Sequence, residues 1–527
     1  MSERAKGWVW PAAVSLLALG LRLWHLDRPR GLSFDERYYA ENAWSMLKVG
    51  YAQDFVEGAE GRIARGDLHN LFVVGQPTQV VHPDAAKWLI AAGEAAFGFN
   101  SFGWRIASAI VGTLTVFVLC RLVLRLTGSV PFACLAGFLL ALDGVHLTMS
   151  RLALLDIFLT FWLVCAAACL VADRDWIGAR IKAPDDPYRW LRPWQLAAGI
   201  CFGLACGSKW NGLYALAAFG FAVVLWELFL RMSFGRIRPI RATLGVGIPA
   251  FGWLVVIGAG VYVLTSLGWL INHDVYEERF GHGYGDEPAW GAYVDDPSSG
   301  PVEETTNALR SLWHYQAMSY RFHTGEYLAK QDHPYKSDAI TWLIQWRPVS
   351  AAADLNLPAK QCGAPKTSYC MRETLILGNP AVWWSGVLAM LACGWMLVRS
   401  GPGGTSRLRG TPAATLDSRS GGQRWQYSVP LVGLVGTWAP WLAVTDRPIF
   451  SFYAVATVPF LVMALALSLH TAWAGSSTLR QRYATALAIG LLVLLTIVAA
   501  VYFWPVWTHG LMTWDAWHQR MWLSTWV

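Results

Sequence analysis

The chain has 527 residues, of which 55% are hydrophobic and only 15% are charged, and its formal net charge is +7. Long apolar blocks of this kind indicate transmembrane helices and exclude an ordinary soluble enzyme. The basic residues fall in short clusters between the blocks, so the positive charge is a topology signal and gives no reason to expect nucleic-acid binding.

Eleven apolar segments are predicted to span a membrane. They cover residues 8–24, 102–124, 130–147, 153–172, 194–208, 212–230, 243–270, 381–398, 428–444, 450–469 and 484–504. The first is too long for the core of a signal peptide and has no small-residue cleavage site, so we interpret it as a retained anchor. The prediction is an all-α polytopic membrane protein in which residues 1–527 form a single membrane domain.

The basic clusters predict the orientation. With a cytoplasmic N-terminus, every short cluster falls on the cytoplasmic side, as the positive-inside rule requires. The clusters are Arg4 with Lys6, Arg121 with Arg125, five residues within 174–192, four within 231–241, five within 399–424, and Arg480 with Arg482. An odd number of spans leaves the C-terminus outside, so we predict a multi-pass plasma-membrane protein with an extracytoplasmic C-terminus.

Two long loops, residues 25–101 and 272–379, fall on the predicted outer side. Long loops on one face usually carry function. Within the second loop, the segment 303–324 has the pattern of an amphipathic helix and is expected to rest on the outer membrane surface. The stretch 401–426 is interpreted as a flexible cytoplasmic linker, and the Trp-rich tail 505–527 as an extracytoplasmic interfacial segment.

The cysteines and the possible metal-binding motifs indicate structural roles and no catalytic one. Seven of the nine cysteines lie in apolar segments, whereas Cys362 and Cys370 lie in the second outer loop, where a structural disulfide is expected. The motif from Asp173 to Asp175 resembles the metal-holding Asp-x-Asp pattern, but it falls on the cytoplasmic side, away from the other candidates. No zinc-ligand spacing is present, so no metal is expected.

The pair Asp35-Glu36 follows the first apolar segment by about ten residues. Because ionised carboxylates are costly in hydrocarbon, this pair is expected at the water boundary, where an enzyme acting on a lipid-carried substrate needs a base. A solvated loop with two acids by chance is the structural alternative.

Several other charges are predicted near the same outer face. His82 and Lys87 lie in the first loop, and Arg105, Arg151, Asp156, Lys209 and Arg447 lie in or beside spans. Such charges usually face an aqueous cavity or a partner and are functional candidates. The alternatives are snorkelling to the headgroups and, for Arg151 with Asp156, a structural ion pair. Together the set offers cations for a lipid phosphate and a carboxylate base for a hydroxyl nucleophile.

Ordered motifs along the chain resemble those of the protein O-mannosyltransferase family. They are Phe34-Asp35-Glu36, His82-Pro83 with Lys87, Arg105, the run from Ser150 to Asp156, the run from Gly207 to Gly212, His333-Pro334-Tyr335-Lys336-Ser337, Trp346-Arg347-Pro348, Gly378-Asn379-Pro380 and Arg447-Pro448-Ile449-Phe450. Two positions depart from the usual pattern. Asp84 stands where a second Pro is common, and Tyr38-Tyr39 stand where relatives often have His-Phe.

The resemblance implies the GT-C glycosyltransferase fold, a polyprenyl-phosphate mannose donor and transfer of mannose to Ser or Thr hydroxyls on the outer face. The loop 272–379 is too short for the MIR domain of eukaryotic members, so the chain resembles a bacterial member. No cofactor is implied, because the lipid-linked sugar is a substrate. Expected partners are that donor, Ser/Thr-containing acceptor proteins, membrane lipids and a secretion channel.

The resemblance also assigns roles. Asp35 is the predicted general base of a single inverting displacement, and Glu36 is expected to orient the acceptor or a neighbouring cation. Lys209 and Arg447 are predicted to stabilise the leaving phosphate, with Arg105 and Arg151 in support. Acceptor or sugar contacts are assigned to His82, Lys87, Asp156, Trp210, His333 and Tyr335.

Two alternative functions remain open from sequence. The first is transfer of another polyprenyl-phosphate sugar to a glycolipid or cell-wall glycan, because the topology would be the same. The second, from a different class, is a transporter or flippase, although no internal repeat is evident and the polar residues gather at one face instead of mid-membrane.

Overall fold

The computed structural model describes residues 1–295, 300–365, 368–399 and 425–527. Its α-helices, numbered in chain order, are α1 (Glu3–Leu23), α2 (Glu36–Val49), α3 (Ala59–Ala64), α4 (Ala85–Phe97), α5 (Ser101–Thr127), α6 (Val130–Ala141), α7 (Gly144–Met149), α8 (Leu155–Gly178), α9 (Pro193–Ser208), α10 (Gly212–Met232), α11 (Pro239–Phe251), α12 (Ile257–Thr265), α13 (Leu267–Ile271), α14 (His273–Phe280), α15 (Pro301–Thr324), α16 (Glu326–Ala329), α17 (Pro380–Arg399), α18 (Ser428–Thr437), α19 (Val458–Ala474), α20 (Leu479–Trp507) and α21 (Trp514–His518). The predicted linker 401–426 lies outside the described residues, apart from its last two positions.

Each of the eleven predicted spans coincides with helical structure, but not all are single helices. The segment 130–147 breaks into α6 and α7 at Asp143, whose carboxylate accepts a hydrogen bond from the backbone N–H of His146 and so begins a new helix. A π-helical segment, Gly252–Val256, joins α11 to α12. Short 3₁₀ segments, Ala439–Ala443 and Ser451–Ala456, follow α18 and precede α19.

Six helical stretches of the described chain are long and apolar enough to cross a membrane. They are Ser101–Thr127, Leu155–Gly178, Gly212–Met232, Pro239–Thr265, Pro380–Arg399 and Leu479–Trp507. The helices α6 and α19 are apolar but shorter. The multi-pass character is therefore clear, whereas the count of eleven crossings stays a prediction.

Helix α8 lies at the centre of the bundle and α20 at its edge. In the apolar window of α8 72% of residues are buried, against 22% in α20. The neighbouring helix α9 approaches α12 closely through small residues. A Cβ atom at Gly199 would lie 1.9 Å from the Trp253 carbonyl oxygen, and one at Gly203 would lie 2.5 Å from that of Gly258. Small residues of this kind let membrane helices pack backbone to backbone.

The charged residues separate to the two ends of α8. At one end Asp175 pairs with Arg125 at 2.6 Å, and Asp173 accepts hydrogen bonds from the buried Arg192. At the other end is Asp156, 17 residues earlier on the same helix. A rise of 1.5 Å per residue puts Asp156 and Asp173 roughly 26 Å apart. The end that holds Asp173 and Asp175 is called the basic end below, since the predicted basic clusters gather there.

The outer loops contain strands that the sequence analysis did not predict. In the first loop β1 (Gln53–Phe55) pairs antiparallel with β2 (Phe72–Pro77). In the second, β3 (Val349–Leu357) pairs antiparallel with β4 (Cys370–Ile376), which also pairs with β5 (Met512–Thr513) from the tail. Cys362 and Cys370 form a disulfide beside this sheet. The fold is thus a helical membrane bundle with two small loop sheets.

The tail packs into the protein, so the prediction of an interfacial tail is wrong for most of its Trp residues. Trp507, Trp517 and Trp526 are buried, whereas Trp522 is half exposed. The Trp517 indole donates to Glu373 at 2.5 Å, and the Trp526 indole donates to the Gln345 carbonyl at 2.7 Å. Pairing with β4 brings these side chains inward.

Helix α15 has the amphipathic pattern that was predicted for 303–324. Leu312, Tyr315 and Met318 face the protein, whereas Leu309 and Trp313 are exposed on the opposite face. Its placement on the membrane surface stays a prediction.

Candidate active site

Asp35 is a half-buried carboxylate at the start of α2 that caps no backbone N–H group of that helix. Burial raises the pKa of Asp35 to about 6, an effect that the nearby Lys209 cation opposes and the Asp156 carboxylate increases. The Tyr39 hydroxyl donates a hydrogen bond to Asp35 and favours its charged form. A carboxylate with a raised pKa and no ion pair among the described residues is suited to accept a proton.

Lys209 and Asp156 form a buried ion pair within the same electrostatic cluster. The Lys209 ammonium lies 2.8 and 2.9 Å from the two Asp156 carboxylate oxygens. Lys209 directly follows α9, and Asp156 lies in the first turn of α8, where a carboxylate also interacts favourably with the helix dipole. The Lys209 ammonium further lies 4.4 Å from the ring centre of Tyr453. The alternative pairing of Asp156 with Arg151 is therefore wrong.

Arg447 presents a half-buried guanidinium with no ion pair and no side-chain hydrogen bond in the described part of the chain. Its guanidinium lies over the face of Trp441, with 5.9 Å from the guanidinium carbon to the ring centre. The charge of Arg447 contributes to lowering the pKa of His82 and of His323, so the guanidinium is electrostatically coupled to both imidazoles. An unpaired cation in such a place can receive an anion.

Aromatic side chains form a wall beside these charges. The ring of His82 lies 5.2 Å from that of His323 and 6.1 Å from that of Tyr39, between centres. Trp210 lies 5.9 Å from His323, and its indole donates to the Tyr262 hydroxyl at 2.9 Å. Burial, followed by the charge of Lys209, lowers the pKa of His82 well below its usual value, so its imidazole stays neutral at physiological pH.

Glu36 and Arg105 do not face this region. They form a fully buried bidentate pair, with nitrogen–oxygen distances of 2.7 and 2.6 Å. Glu36 also accepts hydrogen bonds from the Ser33 and Ala153 backbone N–H groups, and Arg105 donates to three loop carbonyls. The prediction that Glu36 orients a neighbouring cation is confirmed, with Arg105 as that cation, whereas the alternative of acceptor orientation and the phosphate-binding role of Arg105 do not fit these contacts. The pair instead fixes the loop that carries Asp35 to helices α5 and α8.

Arg151 and Lys87 are also occupied by structural contacts. Arg151 donates to the carbonyls of Leu21, Arg22, Trp24 and His25 at and just beyond the end of α1, where helix carbonyls lack intrahelical partners. The buried Lys87 ammonium donates to the His82 carbonyl at 2.7 Å and to the Asp84 carboxylate at 3.0 Å. Arg151 is thus not placed to bind phosphate, and Lys87 positions the His82 turn instead of contacting a substrate.

His333 and Tyr335 lie close to the cluster but do not join it directly. The His333 ring packs edge-on against Phe450 at 4.9 Å, and Phe450 lies 6.0 Å from Tyr453. The predicted sugar or acceptor contacts of His333 and Tyr335 stay predictions.

The sequence analysis missed His323 and Tyr453, and it named Tyr39 only as a departure from the family motif. Tyr453 lies three residues beyond the Arg447-to-Phe450 motif, so a longer motif window would have included it. His323 offered no such signal, because its proximity to His82 depends on how α15 packs. The two carboxylates of the Asp-x-Asp motif already have protein partners. Asp173 accepts hydrogen bonds from Arg192 and Gln195, and Asp175 pairs with Arg125.

Comparison with known families covers almost the whole chain. Residues 12–269 match the family described as dolichyl-phosphate-mannose-protein mannosyltransferase. Residues 308–526 match the C-terminal four-transmembrane region of protein O-mannosyltransferase. The chain belongs to the protein O-mannosyltransferase family.

Relatives in this family align over nearly the full length. The polyprenol-phosphate-mannose–protein mannosyltransferase of Mycobacterium tuberculosis is 32% identical over 548 aligned residues, covering 99% of this chain and 92% of the relative. The protein of the same name from Corynebacterium glutamicum is 30% identical and covers 94% of this chain and 88% of the relative.

Among solved structures, the S. cerevisiae Pmt1–Pmt2 complex bound to the sugar donor has the same fold. Its TM-score is 0.69 at 14% identity, with 99% of this chain and 93% of that chain covered. The predicted GT-C fold and the family are both confirmed.

Proposed function

We propose that this mannosyltransferase moves mannose from polyprenyl-phosphate mannose to Ser or Thr hydroxyls of secreted and membrane proteins. The observation that carries the proposal is the grouping of the Asp35 base with Lys209 and the unpaired Arg447 guanidinium. The names of the full-length mycobacterial and corynebacterial relatives support the donor and the acceptor class. They favour protein mannosylation over transfer to a glycan and over transport.

In the proposed reaction Asp35 accepts the hydroxyl proton of the acceptor as its oxygen bonds to the mannose anomeric carbon. The bond between that carbon and the donor phosphate oxygen breaks, and the phosphate leaves with the electron pair. A single displacement inverts the anomeric centre and needs one base. The phosphate gains negative charge in the transition state, so preorganised cations that meet it lower the barrier.

The two proposed phosphate cations have different roles. Lys209 is held by Asp156 at 2.8 Å, so the pair is close to neutral and its ammonium is fixed in position. Arg447 has no carboxylate partner among the described residues and therefore supplies the uncompensated charge. Arg is suited to this task because its planar donors match phosphate oxygens.

The aromatic wall of Tyr39, His82, Trp210 and His323 is the proposed surface for the sugar and the acceptor. Neutral imidazole can both donate and accept a hydrogen bond, as a sugar hydroxyl requires. The indole face of Trp210 offers an apolar surface for the ring.

We place the reaction on the extracytoplasmic side. Asp156 and Lys209 lie at the end of α8 opposite the Arg125–Asp175 pair, and short basic clusters mark the cytoplasmic side of membrane proteins. The proposed donor phosphate is met by protein cations, so the mechanism requires no metal.

The test is incubation of purified protein with synthetic polyprenyl-phosphate mannose and a Ser/Thr peptide, followed by mass spectrometry for added hexose. Parallel reactions contain a glycolipid acceptor or a chelator. We expect hexose on the peptide, none on the glycolipid, and no effect of chelation. Asp35→Asn should reduce turnover by about 10²–10⁴-fold, because a general base contributes that much.

A matched control is Asp338→Asn, which removes an exposed carboxylate in the second outer loop. It should retain wild-type turnover. Near-normal transfer by Asp35→Asn, or transfer to the glycolipid alone, contradicts the proposal.

A further inference from the structure

A groove with a volume of about 690 Å³ opens at the basic end of the bundle, remote from Asp35. It lies between the loop before α9 and the first three turns of α11. Its lining includes Tyr188, Trp190, Arg238, Arg241, Leu244 and Ile248. The groove is unrelated to the proposed transfer chemistry, and no part of the mechanism above uses it.

The floor of the groove is formed by an aromatic ring packed tightly on α11. A Cβ atom at Gly245 would lie 2.6 Å from the Tyr188 ring, so only glycine allows this approach. The Arg231 guanidinium covers the ring at 4.3 Å and is itself fixed by Glu227. The Trp253 indole donates to the Trp190 carbonyl at 2.6 Å and holds the other wall. The groove is therefore defined by specific contacts on both sides.

The two arginines that line the groove have no carboxylate partner among the described residues. Arg238 and Arg241 are exposed, and within the described residues neither guanidinium makes an ion pair or a side-chain hydrogen bond. Their neighbour Arg231, in contrast, is saturated by Glu227 and by loop carbonyls. Helix α11 also has no acidic residue in its first turn. The mouth of the groove thus carries two exposed guanidinium groups that have no carboxylate partner among the described residues.

The rest of the lining is apolar and continues onto a surface that faces lipid. Leu244 and Ile248 are 54% and 52% exposed, one turn apart on α11. Only 28% of the apolar window of the stretch Pro239–Thr265 is buried in the protein. A positive mouth that leads into an exposed apolar face matches a molecule with an anionic head and an acyl chain.

We propose that this groove binds an anionic phospholipid of the leaflet at the basic end. Its phosphate meets Arg238 and Arg241, and one acyl chain follows Leu244 and Ile248. Basic pockets at the ends of membrane helices recognise anionic headgroups in this way. A soluble anion would use the two arginines but gain nothing from the apolar wall.

The experiment measures lipid binding to detergent-purified, delipidated full-length protein by native mass spectrometry. The probes are phosphatidylglycerol and phosphatidylcholine with identical acyl chains. The test variant is Arg238→Gln with Arg241→Gln. The matched control is Arg480→Gln with Arg482→Gln, which removes the same charge from exposed positions at the start of α20.

We expect wild-type protein to retain phosphatidylglycerol in preference to phosphatidylcholine. The test variant should bind phosphatidylglycerol roughly 30-fold more weakly, because each basic residue near anionic lipid contributes about 1 kcal/mol and 1.4 kcal/mol is tenfold. The control variant should bind like wild type. Both variants should keep their unfolding temperatures in lipid-free detergent, since the changed side chains are exposed.

Three results would overturn the proposal. The first is equal retention of the two lipids by wild-type protein, and the second is undiminished phosphatidylglycerol binding by the test variant. The third is displacement of the lipid by millimolar glycerol phosphate, which would assign the arginines to a soluble anion.

Discussion

At the level of single side chains, Asp35 combines an accessible carboxylate with a pKa raised to about 6, chiefly by burial. Because the proposed base must be ionised, we expect kcat/KM to fall below pH 6 and to be level above it. The same shift affects stability with a definite sign. The folded pKa is above the unfolded value, so ionisation of Asp35 destabilises the fold as pH rises from about 4 to about 6.

The measurements are a pH–rate profile and thermal unfolding of wild-type protein and Asp35→Asn. The variant should unfold at a higher temperature than wild type at pH 7.5, and this difference should vanish near pH 4. A structural role for Asp35 gives the opposite result, with the variant less stable at pH 7.5.

Arg447 is the second side chain for which the structure makes a sharp prediction. Arg447→Gln should lower kcat/KM by about 10²–10³-fold, because it removes a cation from the developing phosphate charge. Arg447→Lys should recover part of the loss, since charge is restored without the planar donors. Steady-state kinetics with a Ser/Thr peptide measures both. Arg65→Gln, at an exposed position of the first outer loop, is the control, and equal effects at the two sites would refute the role.

For the side chains of the candidate site, the sequence was informative where the proposed chemistry requires a group that can still contact a substrate. Electrostatic coupling and ring contacts connect Asp35, Lys209, Arg447 and Trp210 to one cluster, whereas their predicted roles stay predictions. The sequence-based prediction failed for Arg105, Arg151 and Lys87, because their side chains already donate hydrogen bonds to carbonyl or carboxylate oxygens of the protein. A buried cation looks the same in sequence whether it awaits a substrate or caps a helix, because backbone carbonyls leave no signature.

At the level of elements, the Glu36–Arg105 pair joins the loop that carries Asp35 to α5. Glu36→Gln leaves a buried guanidinium without its charge partner, so it should destabilise the protein by about 3–5 kcal/mol. Glu60→Gln removes a partner from the exposed Arg37–Glu60 pair and should cost less than about 1 kcal/mol. Denaturant unfolding in detergent compares them. A catalytic role for Glu36 would instead reduce turnover and leave stability unchanged.

The helices were predicted well because a long apolar segment directly indicates a membrane-spanning helix. The strands of the loops were not predicted. Strand β5 has two residues, and β4 receives partners from 20 residues before it and from the tail. No local sequence pattern predicts the pairing of strands that are so far apart in the chain. The break between α6 and α7 was missed for another reason, since Asp143 is a polar residue inside an otherwise continuous apolar block.

At the level of the whole molecule, the two ends of the bundle should face different compartments. Val74→Cys places a thiol at a 92% exposed site in the first outer loop, and Ser233→Cys places one just after α10 at the basic end. A membrane-impermeant maleimide should label the first in intact cells and the second only after lysis. Wild-type protein provides the background. The reverse pattern would invert the proposed orientation.

The junction between β4 and β5 has a consequence for biosynthesis. Met371 pairs with Met512, so β4 cannot gain this neighbour until the polypeptide has been synthesised as far as Met512. The indoles of Trp517 and Trp526 then donate hydrogen bonds to the Glu373 carboxylate and to the Gln345 carbonyl. A stop codon at position 512 should therefore yield an inserted product in which β4 lacks β5 and in which Glu373 and Gln345 lack their tryptophan partners.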